Sequence, residues 1–116
     1  MLPYSMTIDI QEYLESNGKS PFSVWFKDLD AIAAAKVGAA IFRLEQGNFS
    51  RVEGVGSGVF EYKIDFGPGY RVYFGKDGEK IVILLCGGTK RRQNTDIALA
   101  LARWQDYKQR KKERGT

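Results

Sequence analysis

Apolar and polar positions along this chain repeat with two different periods, and the switches between them mark out the elements. From Tyr4 to Ile10 every second residue is apolar (Tyr4, Met6, Ile8, Ile10), the period of a strand with one buried face, placed at a sheet edge. Ser20-Pro21 has the form of a helix start, a hydroxyl cap followed by proline at the first helical position, and Val24, Trp25 and Leu29 supply the stripe of a short helix. Asp30 caps a second helix to about Gln46, in which Ala33, Val37, Ala40, Ile41 and Leu44 recur at helical spacing. Gly47-Asn48 ends it, as a pair that tolerates the left-handed conformation should.

Residues 47–58 (GNFSRVEGVGSG) read as a flexible glycine-rich connection; the Gly-Lys-Ser/Thr ending of a phosphate loop is absent. The strand period then returns. Phe60, Tyr62, Ile64 and Phe66 alternate with Val59, Glu61, Lys63 and Asp65; Gly67-Pro68-Gly69 is a turn; Tyr70 to Gly75 is a second strand. Asp77-Gly78 signals a two-residue hairpin, and Lys80 to Cys86, apolar after its first residue, is a third strand in the sheet interior. In this register Phe66 faces Tyr70, Ile64 faces Val72 and Tyr62 faces Phe74. The opposite face sets Lys63 against Tyr73 and Asp65 against Arg71, while Tyr73 meets Val82 and Arg71 meets Leu84. A last helix runs from Asn94 or Thr95 to about Lys112 with Ile97, Leu101 and Trp104 on one stripe, Ala98 and Tyr107 at its margin. The order is β-α-α-β-β-β-α: an α+β fold with a mostly antiparallel four-stranded sheet, an N-terminal helical hairpin, a C-terminal helix, and helices against the sheet's apolar face.

Composition narrows the class of molecule. A length of 116 residues suits one domain, 1–116, able to bury a core without staples. The lone cysteine, Cys86, cannot close an internal disulfide, no apolar stretch approaches the ~20 residues of a membrane helix, and no export pattern opens the chain. A cytoplasmic protein away from membranes is the expectation. Charge is unevenly placed: residues 90–116 carry +6 and the remainder −2. A basic C-terminal quarter points to a polyanionic partner, or simply to cations favoured near a helix C-terminus.

With no histidine and one cysteine, neither an imidazole-centred triad nor a His- or Cys-cluster metal site can be built, so no metal or cofactor is expected. Acid–base chemistry falls to Lys, Arg, Tyr, Asp or Glu. The register gathers Lys63, Arg71 and Tyr73 on the face opposite the core, with Thr89-Lys90-Arg91-Arg92 following the third strand. Such a cationic basin with one phenol has the parts needed for RNA cleavage by its own 2′-hydroxyl: a base, cations for the phosphorane-like charge, and an acid for the leaving 5′-oxygen. Arg71 and Arg91 suit the charge role through bidentate contacts; Lys63 or Lys90 could be the base, its like-charged neighbours favouring the neutral form. Each has a plainer reading: an exposed Asp65–Arg71 ion pair, Tyr73 as packing, Lys63 on a solvated stripe, and Lys90, Arg91 and Arg92 binding phosphate without breaking a bond.

The segments RLEQGN, VGSGVFEYKIDFGPGYRVYF and ILLCGGTKRRQNTDIALA followed by Trp104 strongly resemble, in order and over about Phe26 to Lys108, the HigB-like branch of RelE/ParE toxins, the addiction-module killer proteins, some phage-derived. The resemblance implies a toxin held in check by a helix-turn-helix antitoxin, in a possible homodimer or toxin–antitoxin heterotetramer, and metal-independent cleavage of mRNA on the ribosome. It carries Arg71 of YRVYF and the pair Lys90 and Arg91 over as catalytic positions beside Lys63 and Tyr73. The branch's K-x-x-Q-x-x-D-I pattern falls on Lys90, Gln93, Asp96 and Ile97, and Arg92, Gln93 and Arg103 are assigned to substrate binding. Ile97 stands near where such enzymes often place a tyrosine or histidine, which leaves proton transfer to Tyr73 or a lysine, or the nuclease role absent. Two other functions compete: a ParE-like gyrase inhibitor acting by binding alone, and a non-toxic nucleic-acid-binding module. Arg71→Ala and Lys90→Ala are both expected to relieve growth arrest with the fold intact.

Overall fold

Residues 7–115 are described by a computed structural model with the order β1 (Asp9–Glu12), α1 (Pro21–Lys27), α2 (Ala31–Glu45), β2 (Val52–Gly56), β3 (Val59–Ile64), β4 (Tyr70–Lys76), β5 (Ile81–Thr89) and α3 (Gln93–Arg114). A 3-10 turn over Lys90–Arg92 leads into α3. The sheet order is β1-β5-β4-β3-β2, with β1 parallel to β5 and the other neighbours antiparallel. The α+β class and the C-terminal helix are as expected. Tyr4 and Met6 of the anticipated first strand lie outside the described residues; Ile10 lies in β1, Ile8 just precedes it, and β1 does form an edge.

Local chemistry explains the helix starts. Ser20 and Asp30 each accept a backbone N–H from three residues on, at 3.1 Å from Ser23 and 2.8 Å from Ala33, so each first turn has a side-chain partner. The stripe of α1 differs from the expected one: Val24 is exposed, and Phe22, Trp25 and Phe26 turn inward, Phe22 making ring contacts with both. Leu29 lies beyond α1 and packs on the same cluster.

A fifth strand replaces the flexible connection. Val52–Gly56 pairs with β3, and the chain reverses through Ser57-Gly58, both at positive φ (52° and 85°), the geometry a two-residue hairpin requires. Strand partners are also corrected. The turn after β3 spans Asp65–Gly69, so Ile64 pairs with Tyr70, Tyr62 with Val72 and Lys63 with Arg71. A shift of two residues keeps every side chain on its expected face, which is why the pattern identified the faces and not the partners. Between β4 and β5 the reversal runs through Asp77–Lys80, and a bulge beyond Tyr73 moves that residue's partner to Cys86 and Arg71's to Gly88.

The larger correction concerns the layers: helices cover both faces of the sheet. On one side α1 and α2 bury Tyr62, Ile64, Val72, Phe74, Val82 and Leu84 beneath Phe22, Val37, Ala40 and Leu44. On the other, α3 lays Ala100 and Trp104 over Val59, Tyr73, Ile83 and Leu85. Missing side chains provide the seats. A Cβ at Gly75 would collide with the Trp104 ring, and one at Gly87 with the Trp25 ring. The face carrying Lys63, Arg71 and Tyr73 is therefore largely roofed.

The far end of α3 is tied to the β4–β5 reversal. Tyr107 Oη donates to Asp77 Oδ2 at 2.6 Å, and Lys111 Nζ donates to both Asp77 oxygens at 2.5 and 2.6 Å. These bonds, that from Lys111 foremost and that from Tyr107 next, hold the Asp77 carboxyl below its ordinary value of 3.8. A carboxyl lowered in the folded state contributes stability that is complete above its unfolded value and is lost as pH falls through the folded one. Asp77→Asn is expected to flatten the acid limb of stability and to cost under about 1 kcal/mol at neutral pH. Urea midpoints across the acid range check this; an acid limb as steep as that of the unchanged protein would contradict it.

Candidate functional site

Where β3 ends, β4 begins and β5 hands over to α3, four cations surround one depression. Lys63 and Arg71 are direct cross-strand partners, so they emerge side by side. Arg51 precedes β2 and is held to β3 by the Lys63 N–H, which donates to the Arg51 carbonyl at 3.2 Å. Lys90 arrives from the far strand because its own N–H donates to the Gly69 carbonyl at 2.7 Å. Gly69, at φ +77°, makes that approach possible: a Cβ there would stand 3.3 Å from Lys90 Cβ. The result is a cleft of about 390 Å³ lined by Arg51, Lys63, Arg71 and Lys90 together with Ser50, Val52, Glu53 and Asp65. Lys63 Nζ donates to Glu53 Oε1 at 2.7 Å.

Arg71 is 6% exposed and reaches the cleft from beneath. Its counter-ion is Glu61, 2% exposed, with Nε 3.4 Å from Oε1, and not the Asp65 expected from the shorter turn. Gln93 at the start of α3 donates to both Glu61 oxygens, at 2.9 and 3.0 Å. Sheet and helix thus fix one buried carboxylate, which stands as counter-ion to the guanidinium, although Arg71 Nε itself makes no hydrogen bond in the protein.

Tyr73 does not join them. It is fully buried beneath α3, and its hydroxyl has no hydrogen-bond partner in the protein. Burial, then the Glu61 and Asp96 charges, push its pKa well up. Such a phenol stays protonated and has no surface through which a substrate could reach it. Tyr73→Phe is expected to leave stability within about 1 kcal/mol of the original or to raise it, because an unpartnered buried hydroxyl contributes no bond to lose. Thermal unfolding checks this; a loss above about 2 kcal/mol would mean that a partner had been removed.

The remaining assigned residues divide. Arg91 and Arg92 are exposed beside Lys90 without lining the cleft, and Arg92 Nε lies 3.9 Å from Asp96 Oδ1. Arg103 is half-buried over Cys86, outside the cleft. Burial pushes the Cys86 thiol up to about 11, so it is no nucleophile at neutral pH. The K-x-x-Q-x-x-D-I residues do a structural job: Lys90 through its backbone binds the β3–β4 turn, Gln93 clamps Glu61, Asp96 sits where Gly88 lacks a side chain, and Ile97 packs on the α3-side core. Asp96 is buried, and desolvation raises its pKa against the pull of Arg92 and Arg103.

Two charged lining residues were absent from the expectations, Arg51 and Glu53. Both lie in the stretch read as a connection; Val52 and the Ser57-Gly58 turn signal were the clues that an edge strand presents them.

A family model described as "Phage derived protein Gp49-like" matches residues 24–105. A protein of Haemophilus influenzae, described only as uncharacterized, is 44% identical over 96 residues, which cover 82% of this chain and 91% of the relative.

Proposed function

The chain belongs to the phage-derived Gp49-like family, one of the RelE and addiction-module killer type, and on that premise we propose that it is the toxin of a type II toxin–antitoxin module, of the HigB-like branch, arresting translation by cleaving mRNA on the ribosome. The single observation that supports this reading is the convergence of Arg51, Lys63, Arg71 and Lys90 on one cleft of about 390 Å³, roomy enough to admit a phosphodiester. Four cations, two from β3 and β4 and two from the turns before β2 and after β5, line one cleft, and a phosphate gaining negative charge in the transition state gains most from them. The ribosome supplies alignment of the RNA, so few side chains are required.

The residues divide the work as follows. Arg71, held from below by Glu61, and Arg51 grip the non-bridging oxygens. The 2′-oxygen attacks phosphorus, the bond to the 5′-oxygen breaks, and a 2′,3′-cyclic phosphate remains. Glu53 accepts the 2′-hydroxyl proton, since its carboxylate is an acceptor standing in the cleft beside Lys63. An ammonium of Lys63 or Lys90 protonates the leaving oxygen. Tyr73 has no part in this scheme.

A second reading, gyrase inhibition by binding alone, draws on the enclosure of Tyr73, which in a chain without histidine leaves neither an imidazole nor a phenol in the cleft. Induced expression separates the two. Growth arrest with truncated transcripts and intact DNA is expected; arrest with DNA breaks and intact transcripts would transfer the protein to the gyrase class. Tyr73→Phe is expected to arrest growth as the unchanged protein does.

A further inference from the structure

Much of the outward side of α2 is apolar where a surface helix normally turns polar residues to water. Ala31, Ile32, Ala35, Gly38 and Phe42 are all exposed there, with Ile32 63% and Phe42 60% accessible. The inward side (Ala33, Val37, Ala40, Leu44) already completes the core, so the fold does not need the outward one to be apolar. Cations line one edge. Lys36 and Arg43 from the same helix, with Arg51, border a groove of about 270 Å³ that also meets Lys63 and Phe66. Lys36 Nζ lies 5.2 Å from the centroid of the Phe66 ring, itself 36% exposed. Among the described residues no carboxylate forms an ion pair with Lys36, Arg43 or Arg51. The groove shares Arg51, Lys63 and Asp65 with the cationic cleft, so an occupant of one abuts the other.

We propose that this face seats an amphipathic helix of a partner protein, apolar where it meets α2 and acidic along the edge over Lys36, Arg43 and Arg51. Under the toxin reading, on which this inference rests, that helix belongs to the antitoxin, and its acidic edge neutralises the toxin by reaching the cleft. The small residues Ala31, Ala35 and Gly38 let a second helix approach to about 8 Å, the near end of ordinary helix packing. Charge complementarity selects the acidic partner: a second copy of this chain would bring the same cations to the contact. An RNA strand would satisfy the cations but leave Ile32 and Phe42 in water.

The test uses the full chain and the product of the reading frame cotranscribed with it. Phe42→Glu and Ala35→Glu each place a carboxylate in the contact; Leu99→Glu, at an exposed position of α3, is the control. All three variants are expected to arrest growth as the unchanged chain does. Coexpression of the partner is expected to rescue cells carrying the unchanged chain or Leu99→Glu but not the two α2 variants, whose dissociation constants by calorimetry rise about 100-fold, as for a charge buried at an interface hot spot. Full rescue and undiminished binding with Phe42→Glu would overturn the surface while leaving the toxin reading standing. No arrest by the unchanged chain, or no binding of the partner to it, would overturn the toxin reading and this inference with it. A dimer of the chain alone in sedimentation, dissolved by Phe42→Glu, would assign the face to a second copy and also overturn the proposal.

Discussion

Replacing Arg71 with alanine is expected to destabilise the whole protein, not simply disarm the cleft. Glu61 is 2% exposed, and Arg71 is its only ion-pair partner among the described residues. Removing the guanidinium strands a buried carboxylate with the Gln93 amide alone, and breaking a buried pair from one side costs about 3–5 kcal/mol. A domain of this size has a total stability of about 5–15 kcal/mol, so much of it would go. The paired replacement Arg71→Met with Glu61→Leu removes both charges and is expected to recover most of the loss. Urea unfolding of the single and double variants measures this directly. A single variant less than about 1 kcal/mol weaker than the original would mean that Glu61 is satisfied some other way. Loss of growth arrest in Arg71→Ala therefore does not by itself report on chemistry, contrary to what an exposed cross-strand arginine would have allowed.

Lys90→Ala carries the chemical test instead. Its side chain is exposed, and the bond that positions the segment comes from its backbone N–H, which alanine keeps. Stability is expected to stay within about 0.5 kcal/mol. The rate of RNA cleavage is expected to fall about 100-fold or more, as when one preorganised group is taken from a developing oxyanion. Lys90→Arg keeps the charge and should recover part of the rate. Single-turnover cleavage beside thermal unfolding separates the two effects. A cleavage rate within about threefold of the original would remove Lys90 from the proposed machinery, since that is less than 1 kcal/mol of transition-state stabilisation.

Much of this architecture was legible in the alternation of residues. Ser20 and Asp30 declared their helices because a cap is a local hydrogen bond, readable within four residues. The faces of β3 and β4 followed from period-two patterning and survived an incorrect turn length, since a slip of two residues preserves them. What was hidden is long-range. Nothing in the spacing of Ile97, Leu101 and Trp104 says on which side of the sheet α3 lands; that depends on Gly75 and Gly88 leaving room for Trp104 and Asp96. Assigning all helices to one face left Tyr73 exposed in the basin, whereas α3 encloses it. β2 was obscured because glycines at 54 and 56 weaken the strand pattern, and with it went Arg51 and Glu53. At the cleft, Lys63, Arg71 and Lys90 were anticipated and do converge; the buried Glu61–Gln93 support beneath Arg71 required a helix and two strands to be placed together.

The most direct measurement is primer extension on a defined mRNA in a reconstituted translation system, with and without engaged ribosomes. The proposal predicts new 5′ ends within the translated region only when ribosomes occupy the message, and their disappearance with Lys90→Ala although that variant remains folded. Intact message under conditions where the unchanged protein still stops translation, or equal cleavage by Lys90→Ala, would contradict it.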